Sequence, residues 1–264
     1  MKRFLSALCA LLLLAGAAGA ETLRVGMEAN YAPFNWTQPG DSEFAVPLAD
    51  GGFADGYDVQ VARIIAEKLG MDLEVVKTEW DGLPLALISG RIDAIIAGMS
   101  PTEERKLVID FTDPYYESDL VIVVLKDGPY ADATSLEDFA GARITGQLNT
   151  FHYSVIDQIP GVVKQTALET FTAMIVALAA GRIDGYVSER PGALSAMISN
   201  PEFTFAAFDE GKGFQTLAED TTVAVGLRKG SDLVGKINEI LAGISREERI
   251  AMMDEAMARQ PLSE

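Results

Sequence analysis

Apolar positions along this chain switch repeatedly between two periods. Leu23-Arg24-Val25-Gly26-Met27 reads as a short strand, and Val59, Ala62, Ile65, Ala66 and Leu69 then recur at helical spacing. Asp58 stands near the start of that helix and Gly70 just after its end, as dipole and C-terminal preferences ask. Further strands are predicted at Asp72 to Lys77, at Leu120 to Leu125, near Arg143 to Thr145 and at Thr222 to Leu227, with closing helices over Val234–Leu241 and Ile250–Met257. Strands alternating with helices predict an α/β architecture. The stretch from Gln38 to Asp55 is rich in Gly, Pro and Asp and is expected to be a surface excursion, and Phe111 to Glu117 is expected to be turn-rich.

One unit occurs twice: Ala86-Leu87-Ile88-Ser89-Gly90-Arg91-Ile92-Asp93 and Ala177-Leu178-Ala179-Ala180-Gly181-Arg182-Ile183-Asp184, identical at six of eight positions. Each copy reads as a helix end, a Gly able to take the left-handed conformation that closes a helix, and an apolar run, Ile92 to Ala97 or Ile183 to Val187, suited to a buried strand. Each run ends in a polar turn containing Pro. Two such units imply two similar lobes, and open α/β sheets bind ligands outside the carboxyl ends of their strands, so a ligand between the lobes is expected. Ser100-Pro101-Thr102-Glu103 has the form of a capping box that starts a helix straight after the first run.

Met1-Lys2-Arg3, the apolar run Phe4 to Ala15 and the small residues Ala18-Gly19-Ala20 predict a cleaved export signal over residues 1–20. The only cysteine, Cys9, falls inside it, so the remainder is expected to carry no thiol, disulfide or lipid anchor. Residues 21–119 with 221–264 are expected to form a first, discontinuous lobe, and residues 120–220 a second, with two chain crossings as a hinge. A formal net charge of −18, more negative still without Lys2 and Arg3, makes nucleic acid and anionic membranes poor partners. With one histidine and that single cysteine, the sequence offers neither a metal-ligand cluster nor a Ser-His-Asp or Cys-His constellation.

Tyr31-Ala32-Pro33-Phe34, Gly56-Tyr57-Asp58-Val59, Trp80-Asp81-Gly82-Leu83, Gly90-Arg91-Ile92-Asp93, Ser100-Pro101-Thr102-Glu103-Glu104-Arg105, Asp110-Phe111-Thr112-Asp113-Pro114-Tyr115-Tyr116 and Val225-Gly226-Leu227-Arg228-Lys229, in this order, resemble the polar amino-acid solute-binding proteins of ABC importers. The resemblance covers residues 22–257. It implies an α/β fold of the type II periplasmic-binding-protein kind, each lobe a mixed sheet flanked by helices, closing on one free L-amino acid and presenting it to an inner-membrane ABC permease. A periplasmic monomer without cofactor, metal or catalysis is expected.

By the same resemblance, Arg105 pairs with the ligand carboxylate, a task suited to the two parallel donors of a guanidinium. Ser100 assists at a helix N-terminus, and the Thr150-Phe151 turn completes the carboxylate site. Glu189 takes the ammonium, Gly98 offers its backbone carbonyl, and Tyr31 and Trp80 sandwich the ligand side chain. Glu28, three residues before Tyr31, stands where binders of arginine, lysine, ornithine or histidine often carry an acid, although glutamine binders can carry one too. A cation between the rings would gain about 0.5–2 kcal/mol. His152, following the turn, either touches the ligand or caps the helix there. A glutamine or other neutral polar amino-acid binder, and an enzyme like the cyclohexadienyl dehydratases on the same scaffold, are the alternatives.

Overall fold

The computed structural model describes residues 20–261; the leader expected over residues 1–20, with Cys9, lies outside the described residues except for Ala20. Two five-stranded sheets carry the fold. In the first, the strand order is Asp72–Lys77, Thr22–Met27, Ala94–Ile95, Thr222–Arg228, Ile109–Glu117. In the second it is Val163–Lys164, Arg143–Thr145, Gly185–Glu189, Leu120–Leu125, Phe203–Ala206. In both sheets the first three strands pair in parallel, and the fourth is antiparallel to the third and the fifth. The two halves thus share one topology, with the strand after each repeat unit at the centre.

The repeat explains itself across the sheet. Gly90 (φ +78°) and Gly181 (φ +65°) end the helices Leu83–Ile88 and Phe171–Ala179 in the left-handed conformation. Asp93 then accepts from the backbone N–H and the guanidinium of Arg24, with Nη2 at 2.8 Å. Asp184 does the same with Arg143, Nη2 at 2.7 Å. In each lobe the repeated Asp pins its own strand to the one beside it, so its repetition is structural.

The helix Tyr57–Leu69 forms as its spacing predicts, burying Val59, Ala62, Ile65 and Ala66 and ending at Gly70 (φ +70°). The helices Leu233–Ala242 and Arg246–Arg259 close the chain. The latter starts earlier than predicted because Ser245 and Glu248 form a reciprocal capping box. No described helix is long and apolar enough to cross a membrane.

Three expectations are corrected. Residues Phe111 to Glu117 are not a turn but part of the strand Ile109–Glu117; it is an edge strand, and its Pro114 sits at a register irregularity opposite Ala224, where no ladder N–H is needed. The stretch from Gln38 to Asp55 is more than an excursion, since Asn30–Tyr31, Asn35–Gln38, Phe53–Asp55 and Val46–Pro47 form a small antiparallel sheet. The capping box at Ser100 does not form. The helix is the single turn Glu103–Lys106, capped by Thr102, whose hydroxyl accepts from Arg105 N–H. Ser100 is instead in the turn before it, its hydroxyl donating to the Asp220 carbonyl at 3.1 Å.

The chain passes from the first sheet to the second at Ser118-Asp119 and returns at Thr221-Thr222. The two crossings are adjacent, with Ser118 N–H donating to the Thr221 carbonyl at 2.9 Å.

Candidate functional site

The loops at the carboxyl ends of the central strands meet between the lobes. Tyr31, Trp80, Gly98, Ser100 and Arg105 from one side and Gln147, Thr150, Phe151, His152, Phe171 and Glu189 from the other enclose one cavity. Nine of the ten residues singled out from the sequence, His152 included, line it; Glu28 does not. The space is about 10 Å³, room for one water.

Arg105 is held by two backbone carbonyls and one aromatic face. Its Nη1 donates to the Ser100 carbonyl at 2.9 Å, its Nη2 to the Asn149 carbonyl at 3.2 Å, and its guanidinium lies 5.1 Å from the Trp80 ring centroid. It belongs to none of the ion pairs formed among the described residues. Burial pushes its pKa down to about 10, against the opposing charges of Glu104 and Glu189. It therefore stays charged at neutral pH, without a carboxylate partner. Asn149 adopts φ +56°, which Asn tolerates better than most residues, and its carbonyl also accepts from Trp80 Nε1 at 3.4 Å. One oxygen of the turn before Thr150 thus engages both Arg105 and Trp80, while the Thr150 hydroxyl donates to the Gln147 carbonyl at 2.8 Å.

Glu189 ends the strand Gly185–Glu189 and is buried. The Tyr31 hydroxyl donates to its Oε2, and His152 Nε2 lies 3.0 Å from its Oε1, without the alignment of a hydrogen bond. Burial works against the charge of Glu189, but His152 and the Tyr31 hydroxyl outweigh it and hold the carboxyl below the ordinary range. His152 is buried with its Nδ1 unpartnered and faces Glu189, so it does not serve as a helix cap.

Tyr31 stacks on Phe171, ring centroid at 4.0 Å and nearly parallel at 13°, and on Phe34 at 5.0 Å, while Trp80 lies against Arg105. Phe171 and Gln147 complete the cavity beyond the residues singled out from the sequence. A signal for Phe171 exists in Thr170, whose hydroxyl caps the helix it opens. Gly98 has φ +62°, and a Cβ there would meet the Tyr31 ring at 3.2 Å, so both backbone and packing require glycine.

Glu28 is one step removed. It is buried, its Oε2 accepts from Gln147 Nε2 at 3.2 Å across the cleft, and its Oε1 has no partner. It lines a neighbouring interlobe cavity of about 770 Å³ on which Tyr31 and Phe171 also border. Burial, aided by the charges of Glu79 and Asp81 and opposed by the Gln147 hydrogen bond, pushes its carboxyl up to about 7.

Sheet order, double crossing and a polar cleft between matching halves define a class: a two-lobed protein that holds a small solute between its lobes. Residues 23–257 match the bacterial extracellular solute-binding proteins, family 3, and the chain belongs to that family. Among its relatives, a probable histidine-binding protein of Campylobacter jejuni is 34% identical over 195 residues, 73% of this chain and 70% of that protein. An arginine-binding extracellular protein of Bacillus subtilis is 28% identical over 84% of this chain and 80% of its own length. Among solved structures, an amino-acid ABC transporter substrate-binding protein from Streptococcus pneumoniae bound to L-arginine superposes with a TM-score of 0.76 at 29% identity, covering 90% of this chain and 94% of that one.

Proposed function

We propose that the chain binds one free cationic α-amino acid in the interlobe cleft, outside the cytoplasm, and delivers it to an ABC permease. The observation that carries this reading is the pair Arg105 and Glu189: an unpaired guanidinium and a buried carboxylate line one cavity from opposite lobes. Opposite charges on the two sides of one cavity suit the carboxylate and ammonium of a zwitterion. Ser100, the Thr150-Phe151 turn and Gly98 would add polar contacts, and the rings of Tyr31 and Trp80 a lining for the ligand's side chain.

Glu28 supplies the preference for a side-chain cation, since it is the acid with an unpartnered oxygen nearest the cleft. The names of the relatives, which cite arginine and histidine, agree with it. In this reading the protein is a periplasmic monomer and leaves its ligand unaltered. Residues 21–119 with 221–264 form one lobe and 120–220 the other, hinged at the two adjacent crossings. A second reading, a neutral polar ligand such as glutamine, rests on the Glu28 carboxyl near 7, which when protonated can donate to a ligand amide.

Calorimetry at pH 8 against the twenty amino acids plus ornithine tests the proposal. Arginine, lysine, ornithine or histidine should bind most tightly, at one per chain. Glutamine in first place would favour the second reading, and binding of aspartate or glutamate alone would overturn both. Incubation with prephenate or arogenate should yield no aromatic product.

A further inference from the structure

Asp58 is a buried acid that the proposed contacts do not use. It is fully buried in the first turn of the helix Tyr57–Leu69, a position where the helix dipole favours negative charge. No Lys, Arg or His among the described residues pairs with it. Its hydrogen-bond donors are neutral: Tyr115 Oη at 2.7 Å and Asn35 Nδ2 at 2.7 Å. A buried carboxylate without a cation is expensive, and for stability alone an apolar residue of similar volume is often as good or better.

What Asp58 touches leads to the cleft. The Tyr115 hydroxyl that donates to Asp58 accepts in turn from Gly98 N–H at 3.1 Å, so Gly98, Tyr115 and Asp58 form one directed chain of hydrogen bonds. Such chains strengthen when their terminal acceptor is charged. Tyr115 is itself fixed, buried, with its carbonyl accepting from the Tyr57 hydroxyl at 2.9 Å. Gly98 is clamped between this chain behind and the Tyr31 ring in front.

We infer that Asp58 is a positioning residue and buried counter-charge for the ammonium end of the ligand, acting on Gly98 through the Tyr115 hydroxyl. The inference rests on the amino-acid reading of the cleft. Asp58 orients the Gly98 peptide and adds a second negative charge behind the point where Glu189 faces the cavity. Burial pushes the Asp58 carboxyl up to about 6, against the Tyr115 and Asn35 hydrogen bonds and the nearby Gly98 N–H, and the Glu189 charge adds to the rise. Two carboxylates that repel each other are both relieved by a cation arriving near them.

The test compares L-arginine with 5-guanidinopentanoate, which lacks only the α-ammonium, at pH 8, by titration calorimetry and by displacement. Asp58→Asn should weaken L-arginine binding about tenfold and change binding of the deamino compound less than about twofold. If Asp58→Asn does not fold, Tyr115→Phe, which cuts the link to Gly98 and leaves the carboxylate, should show the same selective loss. Equal losses for both compounds would reduce Asp58 to a structural role, and no loss would remove it from the site; either overturns the inference while the reading of the cleft stands. Wild-type protein that binds neither compound overturns that reading and the inference with it.

Discussion

The hydroxyl of Tyr31 donates to the carboxylate of Glu189, joining the short strand Asn30–Tyr31 of one lobe to the end of the central strand of the other lobe's sheet. The bond holds the lobes together through the carboxylate proposed to take the ligand's ammonium. Ligand must therefore displace the hydroxyl. Tyr31→Phe keeps the ring on Phe171 and removes the competitor. A hydrogen bond to a charged group contributes about 1.5–3 kcal/mol, and water replaces most of it when the lobes part, so arginine should bind severalfold more tightly to the variant. Calorimetry reads the change directly; weaker binding would mean that the hydroxyl contacts ligand rather than competing with it.

Arg105 is the clearest separation of binding from stability. It is held by two carbonyls and the Trp80 face and forms no ion pair, so Arg105→Ala should shift the melting temperature of the ligand-free protein only slightly. Removing one partner of a desolvated charge pair costs about 2–5 kcal/mol, which predicts a loss of affinity of about 30-fold or more. Arg105→Lys keeps the charge without the fork and should fall between the two. An Arg105→Ala variant with the wild-type dissociation constant would exclude the carboxylate role.

What the sequence disclosed follows the range of the interactions. The helix Tyr57–Leu69 and the strands Asp72–Lys77 and Leu120–Leu125 were legible because their signals are local: an apolar period, a closing Gly, an apolar run. The repeated Arg-Ile-Asp was visible as a pattern, but its reason lay across the sheet, in Arg24 and Arg143. Ser100 and Thr102 both suit an N-cap, and the choice between them is made by the Asp220 carbonyl, 120 residues away, which engages the Ser100 hydroxyl. The stacking of Phe171 on Tyr31 and the bond from Gln147 to Glu28 depend on how the lobes meet, and no window of sequence contains both partners.

Glu28 should trade stability for function. Its carboxyl holds a proton more tightly folded than unfolded, rising from 4.5 to about 7. The stability this contributes is complete below about 4.5 and is lost as pH rises through about 7. Glu28→Gln, neutral at every pH, should therefore match wild type near pH 4 and exceed it at pH 8, by about 3 kcal/mol at most, while losing the preference for cationic ligands. Denaturant unfolding of the ligand-free proteins at both pH values checks the sign, and an advantage of equal size at pH 4 and pH 8 would show that the Glu28 charge is not its source.

Closure should also depend on a contact outside the cavity. Gln260, just past the helix Arg246–Arg259, receives the Ser195 hydroxyl at its Oε1 and donates from Nε2 to the Ser195 carbonyl at 3.3 Å. Ser195 lies in the helix Arg190–Ser199, which follows Glu189, whereas Arg246–Arg259 packs on the helix Tyr57–Leu69 of the other lobe. Both side chains are buried, and the pair can persist only while the lobes are together. Each neutral hydrogen bond is worth about 0.5–1.5 kcal/mol net, so losing two should speed ligand release by about tenfold and leave capture unchanged, because Gln260 is not among the residues that enclose the space between Arg105 and Glu189. Stopped-flow measurement on Gln260→Ala separates the two rates. Slower capture would place Gln260 on the entry path, and an unchanged release rate would mean that Ser195 and Gln260 stay paired as the ligand leaves, so that the lobes part around a different seam.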